Sequence, residues 1–365
     1  MNTELFKKGL SSVLKITKEA PVLLETKNNR LIIASHNSFH SVIFEMETDL
    51  DDFKVVIPEK IARQIPSQVS KDFHLWIDEN NEKAVINSEN SEMEISILSP
   101  EALSLNRLAK NFEKEPVWKI NGLNFKNAFN RVSHSANDKT IGDIVLRGYH
   151  MNIKHKNIEF MASNGAAMSV TNLVMDSDVS EERMFLLNQD FSNLIQLLHD
   201  EDFFLSYNEN SVSLQFKTDE YTLRMISSLT SGNPFNYHSV VDKVLTPKNE
   251  GESKFVQLNV KEFKESLKKM NFFFDDSAKY RIKLDISNDE LKLFSSNIYG
   301  STENKVNVVS SDVNTEETIY LSGTNLFSYL NSVKSEDTVM YFTDALSPVL
   351  FLDNQGMEIL TVFNV

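Results

Sequence analysis

The stretch IEFMASNGAAMSV, residues 158–170, contains two apolar segments that meet at Asn164-Gly165. Apolar runs joined by Asn-Gly are the strongest short-range sequence signal for a β-hairpin. Two alanines and Met168 follow the glycine, so the turn carries small or apolar side chains and no charge. The stretch therefore predicts a hairpin with an open, uncharged turn.

The same pattern occurs at two other places in the chain. RLIIASHNSFHSVIFE (residues 30–45) and LKLFSSNIYGSTENKV (residues 291–306) each contain a strand-like run, small residues, an asparagine and a second run. The central asparagines, Asn37, Asn164 and Asn297, lie 127 and 133 residues apart. Spacing that recurs in this way indicates a repeated structural unit.

Two helical patterns accompany each asparagine turn, always in the same order. The helix before each turn has apolar residues at i, i+4 and i+7, which place them on one face. These residues are Phe6, Leu10 and Val13; Phe125, Phe129 and Val132; and Phe263, Leu267 and Met270. A short helix with a polar start follows each turn, in VVIPEKIARQI, FLLNQDFSNLIQLL and IYLSGTNLFSYLNSV (residues 55–65, 185–198 and 319–333). Three markers in one order indicate three copies of one fold.

The repeat period is much longer than the roughly 20–50 residues of solenoid repeats, so each copy is a whole domain. We expect domains at residues 1–116, 117–248 and 249–365. Charged, proline-containing linkers are predicted in KNFEKEPVW (110–118) and LTPKNEGESK (245–254).

The remaining apolar stretches predict antiparallel hairpins with asparagine-rich turns. Examples are FHLWIDENNEKAVINSENSEMEISIL (73–98) and FFLSYNENSVSLQFKTDEYTLRMI (203–226). Together with the helices they predict an α+β fold of three tandem domains, each a doubled helix-and-hairpin unit with helices on one face of the sheet.

Composition and motifs argue against several classes of protein. The 365-residue chain has no cysteine, which excludes disulfides, thiol catalysis and cysteine-ligated zinc. Its ten glycines form no phosphate-binding loop, and H-E-x-x-H and G-x-S-x-G are absent. His36 and His40 straddle a turn and are interpreted as surface histidines, not metal ligands. We expect no enzyme activity, no cofactor and no metal.

No run of apolar residues has the length of a membrane span, and the N-terminal residues mix acidic and basic side chains. We therefore expect a cytoplasmic protein without membrane contact.

The net charge of −15 argues against nucleic-acid binding, but the sum hides a local distribution. On a helical wheel, Lys8, Lys15 and Lys18 fall opposite the Phe6 face, and Lys264 and Lys268 fall opposite the Phe263 face. In further helices, Lys126 and Arg131 lie off the apolar face, and Arg63 lies on the short helix after Pro58. Acidic residues concentrate in the hairpins. The recurrence favours a basic binding face; lysines that only raise solubility are the plain alternative, because the helix in QDFSNLIQLLHDED has no basic residue.

Four segments, in this order and spacing, resemble the bacterial β sliding clamp family, the β subunit of DNA polymerase III. They are FMASNGAAMSV, LLNQDFSNLIQLL, SSLTSGNPFNYHSVV and VMYFTDALSPVLFLD (residues 160–170, 186–198, 227–241 and 339–353). The resemblance covers essentially the whole chain. It implies a head-to-tail homodimer closed into a ring around duplex DNA without sequence preference. Its implied partners are the DNA polymerase III catalytic subunit and a clamp loader.

The resemblance also implies roles for individual residues. DNA contacts are expected from Lys8, Lys15, Lys18, Arg63, Lys126, Arg131, Lys264 and Lys268. A pocket for partner peptides is expected from Leu146, Ser163, Gly165, Met168, Phe235, Val240, Leu346, Ile359, Val362 and Phe363. A dimer interface is expected from Leu103, Leu105, Leu108, Phe272, Phe273 and Phe274.

Two departures from the family pattern concern this pocket. The family usually has His-Arg where this chain has Ala166-Ala167, and the family's Met-Pro-Met-Arg-like C-terminus is replaced by ILTVFNV. Peptide recognition is therefore expected to depend on apolar anchors. Two alternatives stay open: an enzyme with scattered active-site residues on a repeated α+β scaffold, and a clamp-like variant that no longer encircles DNA.

Overall fold

The structure is a computed structural model that describes residues 2–69, 73–78, 83–88, 91–99, 103, 117–136, 146, 148–198, 200–231, 236–270, 281–298 and 300–363. Its described helices are α1 (Thr3–Ile16), α2 (Glu59–Ala62), α3 (Ile65–Gln68), α4 (Gly122–Ser133), α5 (Phe191–Ile195), α6 (His238–Asn249), α7 (Val260–Met270) and α8 (Gly323–Ser332). Within these ranges, no helix is both long and apolar enough to cross a membrane.

The strands are mostly short and lie in three sheets. They are β1 (Val22–Lys27), β2 (Arg30–His36), β3 (His40–Glu47), β4 (Phe53–Ile57), β5 (Phe73–Asp78), β6 (Lys83–Ser88), β7 (Ser91–Ser96), β8 (Trp118–Ile120), β9 (Tyr149–Ser163), β10 (Ala167–Leu187), β11 (Phe203–Tyr207), β12 (Ser211–Lys217), β13 (Tyr221–Ser228), β14 (Lys254–Asn259), β15 (Arg281–Ile286), β16 (Glu290–Asn297), β17 (Gly300–Ser311), β18 (Glu317–Ser322), β19 (Asp337–Phe342), β20 (Val349–Asp353) and β21 (Gly356–Leu360). All strand pairs among the described residues are antiparallel, as the hairpin patterns predict.

The apolar helix faces predicted from the sequence are buried. Each of the nine residues on the predicted faces of α1, α4 and α7 is at most 1% exposed. In α1, Gly9 allows the helix to approach β3, since a Cβ at this position would lie 2.5 Å from the Phe44 ring. Burial of these faces against the strands builds the cores.

Asparagine side chains close two of the predicted turns in the same way. Asn37 Oδ1 accepts hydrogen bonds from the backbone N–H groups of Phe39 and His40. Asn164 Oδ1 accepts hydrogen bonds from the backbone N–H groups of Ala166 and Ala167. An asparagine side chain that bonds backbone N–H groups two and three residues on stabilises a tight turn. Gly165 takes a φ of +84°, which favours glycine.

The chain forms two compact units. The first consists of Met1–Leu123 with Asp190–Thr230. It contains an eight-stranded sheet in the order β4-β1-β2-β3-β13-β12-β11-β8 and a three-stranded sheet, β5-β6-β7. The second consists of Asn124–Gln189 with Ser231–Val365 and contains a ten-stranded sheet, β18-β15-β16-β17-β14-β19-β20-β21-β10-β9. The three domains expected from the repeat, and the two boundaries between them, stay a prediction.

One strand pairing occurs once in each unit. The second strand of a predicted hairpin pairs with the last strand of the following repeat: β3 with β13, and β10 with β21. In both cases a backbone N–H at the end of the pairing strand, β13 or β21, donates to a carbonyl of the hairpin turn. Ser228 N donates to Phe39 O (2.8 Å), and Thr361 N donates to Ala166 O (3.0 Å). Because these two bonds occupy equivalent places, each residue of the β3–β13 pairing can be matched to a residue of the β10–β21 pairing.

The first half of the linker predicted at residues 245–254 is helical. Helix α6 continues to Asn249 and includes Pro247 in its last turn. The helix persists because Val241 is buried and Val244 and Leu245 pack against an apolar cluster on the sheet. Tertiary packing outweighs the local tendency of proline to end a helix. The other predicted linker lies mainly outside the described residues.

Candidate functional site

An apolar cluster occupies one face of the ten-stranded sheet beside the Asn164 hairpin. Its buried members are Met161, Met168, Val170, Tyr237, Val241, Leu350 and Ile359. Met168 is the Cα partner of both Ser163 on β9 and Ile359 on β21, so the hairpin and the last strand meet at this residue. Half-buried side chains continue the cluster to the surface: Met184, Val240, Val244, Leu245, Tyr341, Leu352 and Met357. We call these two sets together the apolar groove.

The turn beside the apolar groove is open. A Cβ added to Gly165 would meet no heavy atom within 4 Å. The turn is nevertheless well anchored, because Ala166 O accepts from both the N–H and the hydroxyl of Thr361, at 3.0 and 3.1 Å. Another backbone could therefore approach this turn closely without displacing it.

Leu346 is presented to solvent from a well-defined turn. Its side chain is 67% exposed, although leucine is usually buried. Asp344 Oδ1 accepts from the N–H groups of Leu346 (2.7 Å) and Ser347 (2.8 Å). The first of these bonds contributes most to lowering the pKa of Asp344. The turn therefore holds an exposed apolar side chain in one place.

The structure brings together only part of the predicted pocket. Met168, Ile359 and Val240 belong to the apolar groove, and Ser163 and Gly165 lie at its turn. Val362 packs against the neighbouring core cluster of the third repeat instead. Phe363 donates its N–H to Tyr320 O and lies under the Arg281 guanidinium. Leu146 is half-buried, and Phe235 lies outside the described residues.

Sequence reasoning missed several groove residues: Met161, Val170, Tyr237 and Leu350. Strand alternation provides the signal for Val170, which is two residues from Met168, and for Met161, its Cα partner on β9. Tyr237 carried no comparable signal. Its hydroxyl donates to the Glu159 carboxylate; burial first, and that hydrogen bond second, raise the pKa of Tyr237.

Arg131 corrects the predicted DNA contacts. The side chain is 2% exposed, with Nη2 2.8 Å from Asp353 Oδ2 and Nη1 3.6 Å from Glu358 Oε2. Burial by itself would lower the pKa of Arg131, but the two carboxylates raise it above its usual value. The helical wheel placed Arg131 correctly off the Phe125 face, but strands β20 and β21 cover that side as well. An arginine enclosed in this way is not available to a phosphate.

The other predicted DNA-contacting residues reach solvent. Lys15, Lys18, Arg63 and Lys268 are exposed, as is Lys8, while Lys126 and Lys264 are half-buried. Lys18 follows the end of α1 and is not on the helix. Within the described ranges, no carboxylate lies within 4.0 Å of Lys15, Lys18, Lys264 or Lys268.

Two of these residues already have partners. Arg63 pairs with Glu59 and donates to Leu14 O (3.2 Å). Lys8 donates to the hydroxyl of Tyr221 at 2.8 Å. The charge of Arg63 is partly neutralised, so it is the weakest of the exposed candidates.

The predicted dimer interface needs a correction at Leu103. This side chain is 1% exposed and packs against Leu23, Ile43 and Val56, so it belongs to the local core. The remaining predicted interface residues, Leu105, Leu108, Phe272, Phe273 and Phe274, lie outside the described residues. The sequence pattern could not distinguish an apolar residue that caps its own sheet from one that meets another subunit.

The interpretation of His40 as a surface histidine is wrong. His40 is 2% exposed, and burial lowers its pKa, an effect that nearby Asp190 partly offsets. No cluster of three or more potential metal ligands occurs in the described part of the chain.

No family model and no curated protein matches this chain. Solved structures do match. The DNA polymerase III subunit β of Pseudomonas aeruginosa has a TM-score of 0.88 at 15% identity, covering 100% of this chain and 99% of that chain. The sliding clamp of Bacillus subtilis has a TM-score of 0.88 at 14% identity, covering 100% and 98%. A sliding clamp of P. aeruginosa bound to griselimycin has a TM-score of 0.84 at 16% identity, covering 100% and 98%. The predicted α+β sliding-clamp fold is confirmed over the whole chain.

Proposed function

We propose that this chain is a processivity factor for DNA polymerase III: a head-to-tail homodimeric ring that encircles duplex DNA and tethers the polymerase catalytic subunit. The observation that carries the proposal is the match to sliding clamps over the full length of the chain. The role requires no catalysis and no cofactor. It requires a clamp loader to open the ring, and it places the protein in the cytoplasm, where bacterial DNA is replicated.

The repeated strand pairing supports closure of a ring from two copies. β3 pairs with β13 and β10 with β21. The corresponding strand of the third repeat is β17; among the described residues, its residues 300–307 pair with β16 alone, because its pairing with β14 is confined to residues 308–311. The equivalent last strand of the first repeat is β7, which lies at the edge of the three-stranded sheet. Pairing of β17 with β7 of a second copy would repeat the same joint and satisfy both edges. Head-to-tail joints close into a ring where the rotation between copies allows it, and we propose that two copies of this chain close in this way.

Topological retention tests the ring directly. The protein, loaded by its clamp loader onto nicked circular duplex DNA, should stay bound in a salt wash and leave when the DNA is linearised. A clamp-like variant that does not encircle DNA would dissociate equally from both forms. An enzyme on this scaffold would show neither retention on circular DNA in the salt wash nor release on linearisation.

Charge reversal at Lys264 and Lys268 should weaken DNA binding without changing sequence preference. Each lost phosphate contact should reduce the slope of log K against log salt by roughly 0.9, because fewer counterions are released. Titration of a duplex at several salt concentrations measures the slope. Lys292→Glu is the control, because Lys292 lies on the sheet and already approaches Glu290 (3.5 Å). A slope unchanged by the reversals would mean that these lysines only raise solubility.

We also propose that the apolar groove receives short apolar segments of partner proteins. The open Gly165 turn, the half-buried side chains of the groove and the exposed Leu346 support this use. Methionines such as Met168 and Met357 adapt their shape to different ligands. The absence of charges at Ala166 and Ala167 favours apolar anchors over salt bridges.

We propose that griselimycin, the ligand of one matching sliding clamp, binds in the apolar groove of this chain and serves as a probe. Leu346→Asp should then weaken its binding at least about tenfold, equivalent to about 1.4 kcal/mol. The side chain is exposed, so the substitution adds a charge at a residue of the predicted pocket without disturbing the core. Val174→Asp is the matched control, since Val174 is 74% exposed on β10. Fluorescence or calorimetric titration measures the affinity. Equal affinity in wild type, Leu346→Asp and Met168→Asp would place the binding surface elsewhere.

A further inference from the structure

One pair of strands carries the floor of the apolar groove on one face and a buried ionic cluster on the other. Met168 and Ile359 are Cα partners on β10 and β21 and point into the groove. The next pair, Ser169 and Glu358, points to the opposite face because successive side chains of a strand alternate. Both Ser169 and Glu358 are fully buried.

Glu358 is held by groups from two other segments of the chain, residues 131–135 and strand β10. Its carboxylate accepts hydrogen bonds from the hydroxyls of Ser135 (2.9 Å) and Ser169. His134 Nε2 lies 3.3 Å from the same carboxylate, and Arg131 Nη1 lies 3.6 Å from it. Burial opposes ionisation, but the contacts with His134 and Arg131 together lower the pKa of Glu358 below its usual value. The carboxylate is therefore an ionised group enclosed on all sides by polar partners.

We call each of the two equivalent strand pairings, β3 with β13 and β10 with β21, a joint. The β3–β13 joint, in the first unit, contains no charged residue at the position equivalent to Glu358. The bonds Ser228 N to Phe39 O and Thr361 N to Ala166 O align the two joints. Glu358 lies three residues before the donor Thr361, and Met225 lies three residues before the donor Ser228, so the two residues are equivalent. The Cα partner of Met225 is Val42. Both of these are completely buried, so an apolar pair is sufficient to join the strands. The joint that carries the groove instead has Glu358, which forms an ion pair with Arg131.

The ionic pair has a physical consequence that an apolar pair lacks. A slip of one residue between strands exchanges the side chains of the two faces. Such a slip would move Glu358 into the apolar groove and leave Arg131 with one carboxylate fewer, which is costly for buried charges. With an apolar residue at 358, both faces would be apolar and a slip would meet less resistance. This joint has five Cα pairs, against seven between β3 and β13, so its backbone ladder specifies register less strongly.

We propose that Glu358 is a positioning residue for the apolar groove: by anchoring β21 to α4 and β10, it sets the register that presents Met168 and Ile359 to a ligand. The inference rests on the proposed use of the groove. It assigns to Glu358 an effect on ligand affinity that is separable from its effect on folding.

The test uses two variants and griselimycin as the probe. Glu358→Gln keeps the size of the side chain and removes its charge. Ser169→Val with Glu358→Met copies the Val42–Met225 pair, which restores apolar packing and leaves Arg131 paired with Asp353. We expect the double variant to lose some thermal stability, because Arg131 keeps Asp353 but loses one carboxylate, and to bind griselimycin roughly tenfold more weakly. Leu326→Ala, a core substitution in α8, is the control: it should lower the melting temperature and leave the affinity unchanged.

A ligand-free measurement follows the register itself. The chain has no cysteine, so Val170→Cys with Met357→Cys introduces a single oxidisable pair at directly opposed positions. Cα atoms of opposed residues in an antiparallel pair lie within the range of a disulfide. We expect efficient cross-linking in this background and less when Ser169→Val and Glu358→Met are added.

The outcomes separate the inference from the proposed function. Unchanged affinity together with unchanged cross-linking in the double variant would overturn the role of Glu358. If wild type neither binds griselimycin nor stays on circular DNA, the proposed function fails, and the cross-linking result alone decides whether Glu358 sets the register.

Discussion

Replacing Arg131 by methionine is expected to lower the free energy of unfolding by about 3–5 kcal/mol, because it leaves the buried carboxylates of Asp353 and Glu358 without their cation. Methionine fills a similar volume, so the loss reports the charge and not a cavity. Arg131 also donates to Ser332 Oγ (3.2 Å) and lies over the Tyr329 ring, and both contacts would be lost. Urea unfolding followed by circular dichroism measures the change.

Lys268→Met is the matched control for Arg131→Met. Lys268 is an exposed basic residue on α7 of the same unit, and its substitution should change stability by no more than about 0.5 kcal/mol. Adding Asp353→Leu and Glu358→Met to Arg131→Met should recover much of the loss, since apolar residues often replace buried ion pairs without cost. A loss below about 1 kcal/mol in the single variant would contradict the buried ion pair.

Replacing Glu303 by proline is expected to convert the dimer into folded monomers. Val308 N donates to Asp289 O on the β16 side of β17, at 3.1 Å, and Asn307 N points the other way, to Glu262. Because N–H groups alternate along a strand, the N–H of Glu303 points away from β16, toward the edge proposed to meet β7 of a second copy. Proline removes that N–H and is tolerated on an edge whose N–H faces outward.

Light scattering after size exclusion distinguishes the two states. Wild type should elute at twice the chain mass of 41.7 kDa, and Glu303→Pro at the chain mass with its circular dichroism spectrum retained. Glu303→Ala removes the same side chain, keeps the N–H and should remain dimeric. A dimeric Glu303→Pro would exclude strand pairing at β17 as the joint between the copies.

Local patterns were sufficient to predict the architecture of the fold. The apolar faces of α1, α4 and α7, and the turns at Asn37 and Asn164, follow from residues three to seven positions apart. A helix or hairpin buries its apolar face wherever it docks, so such patterns survive in any tertiary context. The three-fold recurrence of these markers indicated three copies of one fold, and the resemblance of four segments, in their order and spacing, then suggested the clamp fold.

Partners far apart in the chain decided the residues that the sequence placed wrongly. Arg131 and Asp353 are 222 positions apart, and no local pattern indicates that β20 and β21 cover the outer side of α4. Leu103 and His40 are buried by strands and loops whose placement the sequence did not specify. In each case the local pattern defined a helix face or a turn, but not what would pack against it.

The sequence by itself therefore determined the order of helices and hairpins, their threefold repetition and the apolar character of the Asn164 turn. Only the tertiary structure decided which side chains share the apolar groove, which charges are buried behind it and which strand edges stay open. The physical reason is that element formation depends on neighbouring residues, whereas burial and charge pairing depend on segments brought together only when the sheets assemble.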